Sequence, residues 1–160
     1  LIGKKKLYLY SMIIVVLASS GFLFAGPEDI AWIYAMQIIF SLASGPSMPL
    51  LWAMLADAAD YSEWKSGRRA TGLVYSAATF SQKMGFSVGG ALSMMILSLF
   101  GYVADAEQTA RSLLGIRLSL SVIPAGIAIL AIVALMFYTL DDQFVRKIGK
   151  ELAERKKTMA

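Results

Sequence analysis

One lysine, Lys83, lies inside an apolar segment that otherwise carries no Asp, Glu, Lys or Arg. The segment covers residues 70–104, and Lys83 would lie about 20 Å along a helix that starts at residue 70. An ammonium group at the centre of a bilayer costs about 2.5–3.5 kcal/mol on insertion scales, so it requires a counter-charge or a water-filled cavity. We therefore expect Lys83 to pair with an acidic side chain, to bind a ligand or to line an ion path. A purely structural ion pair inside a helix bundle is the other interpretation.

No acidic residue of this chain lies at the depth of Lys83. The acids in and beside the apolar segments all stand near segment ends, at Glu28, Asp29, Asp57, Asp60, Glu63, Asp105 and Glu107. The partner of Lys83 is therefore expected outside this sequence, on other helices, another subunit or a bound ligand.

Small and polar residues share the helical face of Lys83. On a helical projection one stripe contains Gly72, Ser76, Thr79, Lys83, Ser87 and Gly90. A helix exposed to lipid has no use for such a face, so the stripe favours a hydrophilic path. Gly85 and Gly89 of the same segment have the GxxxG spacing that allows close helix packing.

The elements that must position these residues are membrane-spanning helices. Apolar residues make up 58% of the 160 residues and charged residues 16%, against about 25% charged in ordinary soluble domains. The apolar residues form four segments, over about 7–26, 30–57, 70–104 and 117–140, each long enough for a helix that crosses the hydrocarbon core. We predict an all-α, polytopic membrane protein with a four-helix segment over 1–140. Gly45-Pro46 and Pro49 predict a kink or break in the second span.

The distribution of Lys and Arg predicts the orientation of the chain. Summed over alternate connecting segments, twelve cations fall on one side and two, Arg111 and Arg117, on the other. Because Lys and Arg are enriched in cytoplasmic loops, both termini are predicted to be cytoplasmic, in a multi-pass protein of the cell (inner) membrane. Residues 141–160 form a basic tail in which Phe144, Val145, Ile148 and Leu152 recur at helical spacing. This pattern predicts an amphipathic helix on the inner leaflet.

Several function classes are excluded by composition. The chain has no cysteine and no histidine, so it lacks thiolate metal ligands and the commonest general base. No pair of acids lies at one depth, which leaves an enzyme little to work with. A nucleic-acid module, a disordered chain and a secreted disulfide scaffold do not fit the hydropathy.

Charges of both signs crowd the segment between the second and third spans. Three acids and three bases lie within residues 57–69. Exposed ion pairs contribute only about 0–1 kcal/mol each, a strength that suits a gate that opens and closes. A solvated loop whose bases set the topology is the alternative.

The same segment resembles a transporter family. Residues 52–72 read WAMLADAADYSEWKSGRRATG, and LVYSAATFSQKMGFSVGGAL follows. This resembles the glycoside–pentoside–hexuronide:cation symporter family of the major facilitator superfamily. The resemblance covers essentially the whole chain and implies that the four spans correspond to helices 9–12 of a twelve-helix carrier.

The resemblance implies roles for particular residues. Lys83 and Thr79 match positions near the substrate and coupling-cation sites, with acidic partners on N-terminal helices that this chain lacks. A cytoplasmic network of gating charges is implied for Asp57, Asp60, Arg68 and Arg69. The sequence departs from the family pattern at Ala78, where an amide is common, and at Met48, where a tryptophan is expected.

The function expected from the resemblance is secondary active transport of a sugar by alternating access. No cofactor is expected, although the intact carrier would use a coupling cation, Na⁺ or H⁺. Its partners would be a sugar or glycoside, the missing N-terminal helices and the lipid bilayer, without nucleic acid. Because the chain begins at Leu1 without an initiator Met, we expect a C-terminal fragment of the carrier. The alternative is a self-contained four-helix membrane protein that acts as an oligomeric transporter or an assembly subunit.

Overall fold

The computed structural model describes residues 3–26, 28–68 and 70–159, and every regular element in these ranges is helical. The α-helices, in chain order, are α1 (Lys4–Gly21), α2 (Ile30–Ser44), α3 (Ser47–Ser66), α4 (Thr71–Leu99), α5 (Ala110–Leu120), α6 (Val122–Met136) and α7 (Asp142–Met159). A 3₁₀ turn over Phe22–Phe24 extends α1. The protein is therefore all-α, as predicted.

Three helical stretches are long and apolar enough to cross a membrane: Lys4–Phe24, Ile30–Ser66 and Ala110–Met136. The helix that carries Lys83, α4, has 29 residues and is long enough, but its polar and glycine residues make it less apolar than these three. The third predicted span, over 70–104, and the limits of all four membrane segments therefore stay predictions.

The break predicted in the second span is confirmed. Helix α2 ends at Ser44 and α3 begins at Ser47, with Gly45 and Pro46 between them. Pro46 and Pro49 have no N–H to donate to the preceding turn, so the helical hydrogen bonds are interrupted here. The fourth apolar segment is also divided, at Ser121, where Pro124 lacks the N–H that would reach the preceding helix.

Local signals set helix ends that differ from the limits of the apolar segments. Helix α4 stops at Leu99 because Gly101 is left-handed (φ 75°) and the N–H of Tyr102 bonds the Leu97 carbonyl at 3.0 Å, as in a Schellman motif. Helix α5 starts at Ala110, ahead of the apolar segment, because the Thr109 side chain accepts from the Ser112 N–H at 3.2 Å.

The core lies around α1. Helix α1 packs against α6 and α2, and the buried side chains of Met12, Val15, Ala43 and Ala128 form its centre. Helix α4 instead lies at the edge, against α3 and α5, and has no buried residue. A Cβ added at Gly85 or Gly89 would meet no atom within 4 Å, so the close packing predicted for the GxxxG spacing does not occur within the described part of this chain.

Candidate functional site

Lys83 lies near the middle of α4 and is exposed. Within the described residues its ammonium makes no hydrogen bond or ion pair. The neighbouring positions of the predicted stripe, Ser87 and Gly90, are exposed as well. The structure thus places the lysine on an open helix face, and a partner outside this sequence stays a prediction.

Thr79 stands one turn before Lys83 and is half-buried. Its hydroxyl donates to the Tyr75 carbonyl at 2.8 Å, which leaves the oxygen lone pairs able to accept another hydrogen bond. This back-bond is common for threonine inside helices and by itself assigns no function.

A groove of about 450 Å³ lies between α3 and α4, and Ala78, the residue before Thr79, is one of those that line it. Trp52 on α3 lines the groove and stacks on Tyr75 of α4, with ring centroids 5.7 Å apart and planes 8° apart. Gln82 of α4 also lines it, with its amide 4.0 Å from the Met48 sulfur. Sequence reasoning missed Trp52 and Gln82 as lining residues, although Tyr75, Ala78 and Gln82 share a helix face at spacings of three and four.

Asp57 is the buried member of the predicted charge network, with a residue exposure of 8%. Its carboxylate forms an ion pair with the ammonium of Lys4 at the start of α1. The backbone N–H of Lys4 donates to Asp142 at 3.2 Å, so an acid from the start of α7 occupies the N-terminus of α1. The ammonium of Lys5 bonds the carbonyl of Tyr138. Three segments distant in sequence, around residues 4–5, 57 and 138–142, therefore meet in one cluster of charges.

Two of the other predicted network residues, Asp60 and Arg68, do not join this cluster. Asp60 and Arg68 are exposed, and within the described residues neither side chain makes an ion pair. Arg69 lies outside the described residues. The network of Asp57 with Asp60, Arg68 and Arg69 therefore stays a prediction. From the sequence alone, Lys4 is recognisable only as a cation that sets orientation, because no local pattern links it to Asp57, 53 positions away.

The basic tail forms the predicted helix, α7, and its apolar residues contact protein; its position on the inner leaflet stays a prediction. Ile148 and Leu152 are buried at 1% and 8% exposure, against protein rather than on an open lipid-facing side. Helix α3 provides the contact: the indole N–H of Trp64 donates to Glu151 at 2.6 Å, and Arg155 donates to the Trp64 carbonyl at 3.1 Å. The amphipathic pattern predicted the helix but could not distinguish lipid from protein as its apolar partner.

The fold and these features define a class of protein. Apolar helices form the bundle, one of them is interrupted by proline, and a helix with a central lysine, unpaired within the described residues, lies at its open edge. This combination is typical of a membrane transporter, in which intramembrane charges and broken helices line substrate and ion paths.

Comparison with known proteins identifies the family. Residues 1–142 match the family described as MFS/sugar transport protein. The chain belongs to this sugar transporter family of the major facilitator superfamily, as the resemblance implied. It is therefore a membrane-embedded protein, and its relatives are transporters, not enzymes.

Individual relatives agree with the family. The chain is 34% identical over 156 residues to the glucuronide carrier protein homolog of Escherichia coli, covering 98% of this chain and 34% of the relative. It is 37% identical over 142 residues to the isoprimeverose transporter of Lactiplantibacillus pentosus, covering 88% and 29%. It is 31% identical over 156 residues to an uncharacterized symporter of Bacillus subtilis, covering 98% and 34%. The chain thus spans about a third of the length of these relatives. No solved structure matches it.

Proposed function

We propose that this chain is the C-terminal part of a sugar–cation symporter that works by alternating access. The observation that carries the proposal is the exposed ammonium of Lys83 at the middle of α4, without an acidic partner among the described residues. The relatives are about three times as long, so further helices can supply that partner. Substrate and cation would each favour states that the other also favours, which couples their binding.

The roles of the site residues follow from their chemistry. Lys83 would hold the acidic groups of the midplane site or exchange them with the cation. Thr79 would accept a hydrogen bond from a sugar hydroxyl, since its own proton is already donated to Tyr75. Ala78, the residue before it, lines the groove between α3 and α4, where the indole of Trp52 would offer an apolar surface to the substrate.

The experiment that tests this function is uptake of labelled sugar into cells that express the complete reading frame containing this chain. Lys83→Ala should abolish accumulation against a gradient, because the acids it neutralises would be left unpaired. Lys150→Ala, which removes an exposed lysine of α7, is the matched control and should leave uptake unchanged. Normal accumulation by Lys83→Ala would refute a role in coupling or binding.

Substrate class is tested with the molecules named for two relatives. Labelled glucuronide and labelled isoprimeverose are offered to the same cells, with an imposed Na⁺ or proton gradient. Uptake of the glucuronide alone would indicate that a positive charge in the site selects a carboxylate; uptake of isoprimeverose alone would indicate a neutral pocket. Failure to transport any sugar or glycoside would contradict the proposal. A complete reading frame that begins close to Leu1 would instead favour the self-contained four-helix alternative.

Thr79 has a separate prediction. Thr79→Val keeps the shape but removes the hydroxyl, and the half-saturating sugar concentration should rise about 2- to 10-fold, the effect of one neutral hydrogen bond. Thr79→Ser keeps the hydroxyl, so the half-saturating sugar concentration should stay within about 2-fold of the wild-type value, because the sugar needs only the oxygen as an acceptor. If Thr79→Val and Thr79→Ser change the half-saturating concentration equally, the sugar does not bond to the Thr79 hydroxyl.

We also propose that the ion pair between the start of α1 and the middle of α3 takes part in gating. The pair of Asp57 and Lys4 joins two helices, and such pairs can break and re-form between states. Asp57→Lys should impair uptake. If Lys4 is the gating partner, adding Lys4→Asp should restore part of it; if Arg69 is the partner, adding Arg69→Asp should do so instead. Restoration by neither would refute both pairs.

A further inference from the structure

Arg117 lies in an unusual environment at the end of the bundle opposite the charged cluster. It is half-buried on α5 and lines a cavity of about 140 Å³ between the end of α1, the start of α2 and α5. The other lining residues are apolar or glycine, and Phe22, Ile33 and Leu120 are among the larger of them. A guanidinium group among such walls requires an anionic acceptor, because desolvation of a charge is costly when the charge is unpaired.

No acceptor for the Arg117 side chain is present among the described residues. Its guanidinium takes part in no ion pair or hydrogen bond there. The carboxylate of Asp29, at the same end of the bundle, is engaged by the backbone N–H of Gly26 at 2.8 Å. The positive charge at this cavity is therefore available to a ligand.

The position of the cavity indicates what kind of ligand reaches it. Arg117 is seven residues from the start of α5, about 10 Å along the helix. The stretch it belongs to, Ala110–Met136, and the stretch ending at Phe24 are both apolar enough to cross a membrane. Arg117 thus lies near one end of two spans, where lipid headgroups meet hydrocarbon.

The walls of the cavity continue onto an exposed apolar surface. Two residues that line the cavity, Ile33 and Leu120, are 38% and 53% exposed, so an acyl chain can leave the cavity along them. A ligand that fits here has an anionic head for Arg117 and a hydrocarbon tail for the surface. A free sugar or a soluble anion has no hydrocarbon tail.

We propose that Arg117 and this cavity bind an anionic phospholipid, with the phosphate on the guanidinium and the upper acyl chain against Phe22 and Leu120. The planar guanidinium donates two parallel hydrogen bonds to a phosphate, which an ammonium cannot do. The cavity accommodates a phosphate and the beginning of one chain, while the rest of the lipid stays in the bilayer. This site is independent of the transport site on α4.

The test measures lipids retained by the protein expressed from its complete reading frame. The purified protein is equilibrated in vesicles of equal phosphatidylglycerol and phosphatidylcholine, extracted in mild detergent and analysed by native mass spectrometry. Wild-type protein should retain phosphatidylglycerol preferentially. Arg117→Gln should lower the ratio of retained phosphatidylglycerol to phosphatidylcholine about tenfold, the factor that one charge-assisted hydrogen bond supplies. Arg117→Lys should give an intermediate ratio.

The matched control is Arg111→Gln, which removes an exposed cation from the same helix, six residues earlier. It should keep the wild-type ratio. An equal loss in Arg111→Gln would show general surface attraction and overturn the proposal, as would an unchanged ratio in Arg117→Gln. Competition by inorganic phosphate as strong as that by phosphatidylglycerol would also overturn it, because the site would then bind free anions. Arg117→Lys, which retains the charge, keeps the test valid if Arg117→Gln does not fold.

Discussion

The ion pair between Lys4 and Asp57 is unequally buried. The Asp57 side chain is 11% exposed and the Lys4 side chain 33% exposed, so the aspartate bears most of the desolvation cost. In such a pair, removing the lysine leaves a buried carboxylate without its counter-charge, whereas removing both partners costs less. Charge patterning predicts that both residues lie near the inner surface, but only the packing of α1 against α3 brings them together.

Lys4→Ala should therefore destabilise the protein by about 1–3 kcal/mol, measured as the free energy of unfolding in detergent micelles with increasing SDS. Lys6→Ala, which removes an exposed lysine of the same basic run, should change it by less than about 0.5 kcal/mol. In an Asp57→Asn background the effect of Lys4→Ala should largely disappear, because the carboxylate it neutralises is absent. Equal effects in both backgrounds would contradict a direct pair.

Among the helices, α7 is fastened to α3 by packing and by hydrogen bonds. Phe144 contacts Trp64 edge-on with ring centroids 5.8 Å apart. Trp64 also donates a hydrogen bond to Glu151 through its indole and accepts one from Arg155 at its carbonyl. The Asp142 carboxylate meanwhile accepts from the Lys4 N–H of α1. The tail helix therefore links the N-terminus of α1 to the C-terminal part of α3.

Ile148→Ala should loosen this attachment, because Ile148 is 1% exposed and truncation of a buried isoleucine costs about 2–5 kcal/mol. The readout is hydrogen–deuterium exchange of the amides of residues 142–159, which should become at least about tenfold faster. Val145→Ala, at a half-buried position of the same helix, should have a smaller effect. Unchanged exchange in Ile148→Ala would mean that the tail is held by something other than this contact.

For the molecule as a whole, α4 is the helix whose surroundings are incomplete. It has no buried residue, and its glycines at 72, 85, 89 and 90 face open space. A chain that spans about a third of its relatives leaves room for helices on both exposed faces. We expect the Lys83 stripe to face a water-filled path in the complete carrier and the opposite side to face apolar surroundings.

Cysteine labelling tests this arrangement, and the absence of cysteine from this chain makes each introduced thiol unique within it. Ser87→Cys on the stripe should react with a membrane-impermeant thiol reagent, and saturating substrate should slow the reaction. Val88→Cys, about 100° around the helix, should react at least about tenfold more slowly because a thiol in apolar surroundings is seldom ionised. Equal rates at both positions would contradict a stripe that lines the path.

The amino-acid order alone is enough to predict the features that depend on one segment at a time. Long apolar segments require helices in a bilayer, the prolines at 46 and 49 require a break, and the motif over 52–72 is sufficient to indicate the transporter family. Lys83 is recognisable as an intramembrane charge for the same reason. The free-energy cost of placing its ammonium in hydrocarbon depends on its depth along one helix and not on the packing of other helices.

Which distant residues meet is settled by the packing of the helices. Four features join segments far apart in the chain. They are the ion pair of Lys4 with Asp57, the docking of α7 on Trp64, the groove between α3 and α4, and the apolar cavity at Arg117. Residue spacing within one helix carries no record of such contacts. The amphipathic face of α7 fits lipid and protein equally well by pattern, and its burial against α3 is what separates the two.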